Sequence, residues 1–153
     1  MFQSNYQKSK GIEVIHFRVS LPARGLFFAL SKAKSEEERT QLGEKLLDEL
    51  CDLSEIDVAN LKISDKNQYH KKSKGRVVFK QYGYYRVSSS AIFIHNRTAV
   101  RGQILASKTF LDTLLHEWMH HYDHKRLRLN SVHTSGFYAR LRDLKKKLGY
   151  FSL

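Results

Sequence analysis

The pentapeptide His116-Glu117-Trp118-Met119-His120 constrains this 153-residue chain more than any other feature. Around it Leu111, Leu114, Leu115, Trp118, Met119 and Tyr122 recur at helical spacing, which predicts a helix opening near Thr109. On a helix, positions i and i+4 stand one above the other, so both imidazoles can face a single ion. Glu117 then lies beside that ion rather than on it, where a carboxylate can take a proton from water. Trp118 and Met119 are expected to pack the core. Two ligands do not complete a zinc site, so the fold must bring a third from elsewhere in the chain.

The extended H-E-x-x-H-x-x-G-x-x-H pattern is absent, because positions 123 and 126 are Asp123 and Arg126, and no Glu follows Glu117. The downstream candidates are His121, His124, His133, Asp123 and Asp143. His121 points about 100° away from His120 on a helix and should miss the ion. His124 is in line with His120, but a straight helix cannot easily wrap three ligands around a tetrahedral ion. His121 and His124 are therefore expected on the helix surface. Asp123 is expected as a solvated helix-face acid, with orientation of a ligating histidine as its rival role. His133 follows a break at Leu129-Asn130-Ser131 and precedes the last helix, free to approach from another direction. It is the chosen third ligand, and Zn2+ the expected ion.

Elsewhere the chain predicts one α+β domain over residues 11–153, preceded by a flexible stretch at 1–10. Ile15, Phe17 and Val19 alternate with His16 and Arg18, a strand-like period. Ser20-Leu21-Pro22 suits a short helical turn. Ser35 and Glu38 form a capping box for a helix with Leu42, Leu46, Leu47 and Leu50 on one face, read as scaffold. Strands are expected near Leu61–Ile63, Arg76–Lys80, Tyr84–Val87 and Ala91–Ile94, with a loop over 65–75. The last helix carries Phe137, Leu141, Leu144 and Leu148 on one stripe and ends at Gly149. One cysteine, Cys51, excludes a disulfide framework or a four-cysteine zinc ribbon. The apolar run Leu26–Leu30 is far shorter than the ~20 residues that cross a bilayer. With no secretory pattern at the N-terminus, the expectation is a soluble intracellular protein that makes no membrane contact.

The formal net charge of +12 is unevenly placed. Residues 1–65 hold 9 basic and 11 acidic side chains; residues 66–153 hold 18 and 4. Such asymmetry suits a surface facing a polyanion, most simply nucleic acid. The candidate phosphate contacts are Lys71, Lys72, Lys74, Arg97, Arg101, Arg126, Arg128, Arg140, Arg142, Lys145, Lys146 and Lys147. A solvated basic surface is the plainer alternative. Tyr82, Tyr84 and Tyr85 can stack on bases, but at least one is expected to pack the sheet.

The segment Thr113–His120, followed by His133-Thr134-Ser135-Gly136-Phe137, resembles the SprT-like (Spartan-type) zinc metalloprotease family. That family has an H-E-x-x-H helix and then a third histidine opening a further helix, with an aromatic residue shortly after it. Tyr82–Tyr85 and the strand Ile92–Ile94 are similar to the sheet that precedes its metal helix, so the resemblance covers about residues 58–149. It implies a zincin-like domain with a small mixed or antiparallel sheet. It also implies zinc ligands His116, His120 and His133, with Glu117 as general base. The best-known members are linked to DNA-dependent cleavage of proteins crosslinked to DNA, most simply in the cytoplasm or another DNA-containing compartment. Many carry a C-terminal cysteine zinc ribbon; none occurs here, so DNA contact is expected from the protease domain or from another protein. The expected activity is hydrolysis of peptide bonds, with Ala91, Ile92, Phe93 and Ile94 as the strand that pairs with an extended substrate. The rivals are a nucleic-acid-binding module with a structural zinc and a metallohydrolase of small amides.

Overall fold

A computed structural model describes residues 3–66, 70–73, 76–80, 82–99 and 101–153, with 70–73 and 76–80 given by their backbone. Among these, five α-helices and five strands make a mixed α+β fold. Helix α1 (Asn5–Gly11) opens at Ser4 with a complete capping box to Gln7. Helix α2 (Leu21–Lys32) is capped by Ser20, and α3 (Glu36–Leu53) by Ser35, whose side chain accepts from the Glu38 N–H. Glu36, Glu37 and Glu38 fill the first turn of α3, where the helix dipole favours negative charge. Helices α4 (Ser107–Lys125) and α5 (Ser135–Leu148) close the chain, α5 ending at Gly149 in the left-handed conformation with φ 92°.

The main sheet has three strands in the order β1-β5-β4. β1 (Asn60–Ser64) runs parallel to β5 (Ala91–His95), with Leu61 opposite Ile92 and Ile63 opposite Ile94. β4 (Gly83–Arg86) runs antiparallel to β5, pairing Gly83 with Ile94 and Tyr85 with Ile92. Leu61, Ile63, Ile92 and Ile94 alternate into the core, as a half-buried sheet requires. β2 (His70–Ser73) and β3 (Arg76–Lys80) form a separate antiparallel pair. Strand β4 lies close over α4: a Cβ on Gly83 would meet the Phe93 carbonyl and, at 2.9 Å, Thr113 Cγ2. The core joins the sheet to α2, α3, α4 and α5 through Phe27, Leu46, Leu50, Phe110, Leu114, Leu115, Trp118 and Phe137, all 0% exposed.

Four local expectations are corrected. Within the stretch 1–10 expected to be flexible, residues 5–10 are helical, because Ser4 and Gln7 cap the turn reciprocally and Ser9 is buried. Residues 15–19 form no strand: the chain bends at His16 and Phe17 and the segment joins no ladder. Their alternation reports one-sided burial of Ile15 and Phe17, while Asp143 and the Tyr122 hydroxyl accept the N–H groups of Ile15 and His16. The turn at Ser20 is the start of a 12-residue helix. Part of the 65–75 loop is strand β2. No helix among the described residues is long and apolar enough to cross a membrane.

Candidate metal centre

Helix α4 presents two opposite faces to two environments. Leu111, Leu114, Leu115, Trp118, Met119 and Tyr122 are buried, and Trp118 donates its indole N–H to Cys51 Sγ at 3.4 Å. His116, Glu117 and His120 open instead onto a cleft of about 980 Å³, walled by Tyr82–Tyr85 of the β4 edge and by Arg128–Ser131 and His133. His133 arrives from the segment between α4 and α5. Its Nε2 lies 3.1 Å from His116 Nε2 and 3.0 Å from His120 Nε2. Three imidazole nitrogens at 2.0–2.1 Å from a tetrahedral zinc stand about 3.3 Å apart, so this donor set fits zinc. Phe137, 0% exposed, packs on all three rings at centroid distances of 5.1, 4.7 and 5.2 Å to His116, His120 and His133.

Protonation supports the same fit. Burial first, then the neighbouring imidazoles, pushes His116 down to about 4 and His120 down to about 3. Both are neutral at pH 7, as a metal ligand must be. The tautomer of His120 follows from its surroundings. Ser131 donates its hydroxyl to Asp123 Oδ2 at 2.9 Å, so it accepts from His120 Nδ1–H at 2.8 Å, which leaves the Nε2 lone pair free for an ion. Glu117, largely buried in the cleft wall, is raised to about 7 by desolvation, the range suited to a general base.

Several site expectations change here. Asp123 is not a solvated acid: it is 0% exposed and held bidentate by Arg140, with Nε–Oδ1 at 3.0 Å and Nη2–Oδ2 at 2.8 Å. Arg140 is therefore no nucleic-acid contact, since its guanidinium is fully buried and also donates to the Ser9 and Ile12 carbonyls. His121 misses the ion as its angle predicts, yet it is buried rather than on the surface. Its Nε2 donates to the Asp57 carbonyl, and its Nδ1 accepts from the Tyr85 hydroxyl. His124 lines the cleft outside the cluster of three.

The segment Ala91–Ile94 is not free to pair with substrate, because β5 is the central strand with β1 and β4 on its two sides. The edge that faces the cleft is β4. Tyr84 stacks on Phe93 at 5.2 Å and Tyr85 packs toward the core, so both tyrosines have packing roles. Among the remaining cations, Lys145 is paired with Asp112 and Lys147 with Asp143, both at 2.8 Å, and Arg97 lies 3.9 Å from Asp65. Arg101, Arg126, Arg128, Arg142 and Lys146 are exposed, with no ion pair among the described residues. Lys74 lies outside the described residues, as do the side chains of Lys71 and Lys72. Sequence reading missed Ser131 and the β4 edge. Asp123, at i+3 from His120 on the same helix face, carried a local signal for its orienting role; Ser131 carried none.

No family model, curated protein or solved structure matches this chain.

Proposed function

We propose that the chain is a zinc-dependent metallopeptidase of the SprT-like, zincin-like kind, with His116, His120 and His133 as ligands and Glu117 as general base. The observation that carries this reading is the convergence of three Nε2 atoms in one cleft with a buried carboxyl whose pKa is raised to about 7. A structural zinc has no use for a base in that position. Zinc held by the three nitrogens would supply Lewis acidity toward a carbonyl and toward water. Glu117 takes the proton of the attacking water and passes it to the leaving amine. The Ser131 hydroxyl holds His120 in its ligating tautomer, and Asp123 fixes Ser131. The β4 edge offers backbone groups to an extended peptide, which gives affinity with little dependence on side-chain sequence.

The exposed cations Arg101, Arg126, Arg128, Arg142 and Lys146 support DNA as a partner, and DNA-bound proteins as substrates. The experiment is cleavage of a DNA-binding protein by the zinc-loaded chain and by Glu117→Gln, with and without single-stranded DNA. DNA-stimulated cleavage that the variant loses by at least a hundredfold, with zinc retained, is the expected result. Stoichiometric zinc and retained DNA with no cleavage under any condition overturns the peptidase reading in favour of a binding module.

A further inference from the structure

We propose that helix α1 is a positioning element of the metal centre, with Asn5 fixing the loop that carries Ser131 and His133; this rests on reading His116, His120 and His133 as that centre. The Asn5 side-chain amide engages both main-chain groups of one loop residue. Nδ2 donates to the Asn130 carbonyl at 2.6 Å, and Oδ1 accepts the Asn130 N–H at 2.8 Å. One turn along, Lys8 Nζ donates to the Leu127 carbonyl at 2.9 Å, and the Ser9 hydroxyl bonds Thr134 Oγ1 at 2.8 Å. Positions 5, 8 and 9 share one helix face by their i, i+3, i+4 spacing. They meet the loop at its start, middle and end.

The loop has little else to hold its backbone. Among the described residues the main-chain bonds at its ends are Leu127 N–H to Tyr122 O, Leu129 N–H to Asp123 O and Tyr138 N–H to Thr134 O, and between them there is the internal turn Thr134 N–H to Val132 O. Helix α1 is itself firmly seated. Arg140 donates to the Ser9 and Ile12 carbonyls, and the Gly136 backbone lies so close under Ser9 that a Cβ there would strike its carbonyl. What α1 lacks is apolar burial: its single buried residue is Ser9. A helix of seven residues with one buried serine and directed bonds to three loop positions contributes orientation rather than hydrophobic stability.

The test is zinc affinity of the full chain by competition with a chromophoric chelator, together with amide hydrogen exchange of residues 130–133 in the zinc-free protein. Asn5→Ala is expected to weaken zinc binding about tenfold, the range seen when a ligand's outer support is lost, and to speed exchange at Asn130. Lys8→Met is expected to act in the same direction but less, and the double variant more than either. Ser35→Ala, which removes the cap of α3 remote from the centre, is expected to keep wild-type affinity. The proposal is overturned, with the metal centre standing, if His133→Ala loses zinc while Asn5→Ala and the double variant retain wild-type affinity and exchange. It is equally overturned if Ser35→Ala weakens zinc as much as Asn5→Ala does, because the effect is then general stability. A wild-type chain that takes up no zinc removes both the proposal and the centre.

Discussion

Two of the three proposed ligands stand on a helix and the third on a loop, and the two supports are built differently. His116 and His120 project from α4, whose other face is sealed by Leu114, Leu115, Trp118 and Met119 at 0% exposure. Their relative placement is a property of helix geometry and of a core that holds α4 still. His133 stands on a segment tied by polar bonds from residues 125 positions away in sequence, Asn5 and Ser9 among them. A local pattern specifies the first pair; long-range hydrogen bonding specifies the third ligand. The difference separates what makes the fold stable from what makes the centre complete.

Substitutions can pull those two supports apart. Arg140→Leu leaves Asp123 charged, buried and unpaired, and is expected to cost about 3–5 kcal/mol in urea denaturation while also freeing Ser131. Leu114→Ala opens a cavity behind α4 and is expected to cost about 3 kcal/mol, yet zinc affinity per folded molecule should stay near wild type. Equal losses of zinc affinity in these two variants would break the distinction between helix and loop. Gly136→Ala pushes α1 off α5, and about 2 kcal/mol of destabilisation is expected, with weaker zinc retention read by chelator competition.

The pH dependence of the zinc-free chain sharpens the comparison on the helix side. His116 and His120 are pushed by burial from 6.5 down to about 4 and about 3, so the unfolded chain binds more protons as pH falls through 6.5. Stability therefore declines toward pH 4.5. Glu117 works in the opposite sense, since its folded form holds a proton up to about 7 against 4.5 unfolded, and it blunts the decline. A modestly lower urea midpoint at pH 4.5 than at pH 7 is expected, with Glu117→Gln showing the steeper fall. The smallest effect belongs to the surface. Arg142→Ala should change stability by less than about 0.5 kcal/mol, and reduce the salt slope of DNA binding by about one. An unchanged slope removes Arg142 from the DNA-facing surface.

The parts of this molecule legible in its sequence are those set within a few residues. The α4 pattern, the Ser35 cap, the Gly149 terminus and the grouping of His133 with His116 and His120 follow from spacing and backbone preference. They reappear in the structure at the expected positions. The parts that were not legible depend on what lies across the fold. Arg140 sits among lysines and arginines and reads as one more surface cation until Asp123 is seen opposite it. Ala91–Ile94 reads as a strand, but nothing in those residues says that β1 and β4 occupy both its edges. Residues 15–19 show that alternation encodes burial of one side, whereas a ladder also needs a neighbour.

The clamp between residues 5–9 and residues 127–134 also fixes when the centre can form. A ribosome adding about 5–20 residues per second releases Asn5 on the order of ten seconds before Asn130 exists. During that interval α1, too short to hold helical structure by itself, has no surface to rest on. The H-E-x-x-H helix is synthesised before His133 as well. A nascent chain thus carries two of the proposed ligands without the third, and the centre is completed only once residues 127–134 have followed the helix.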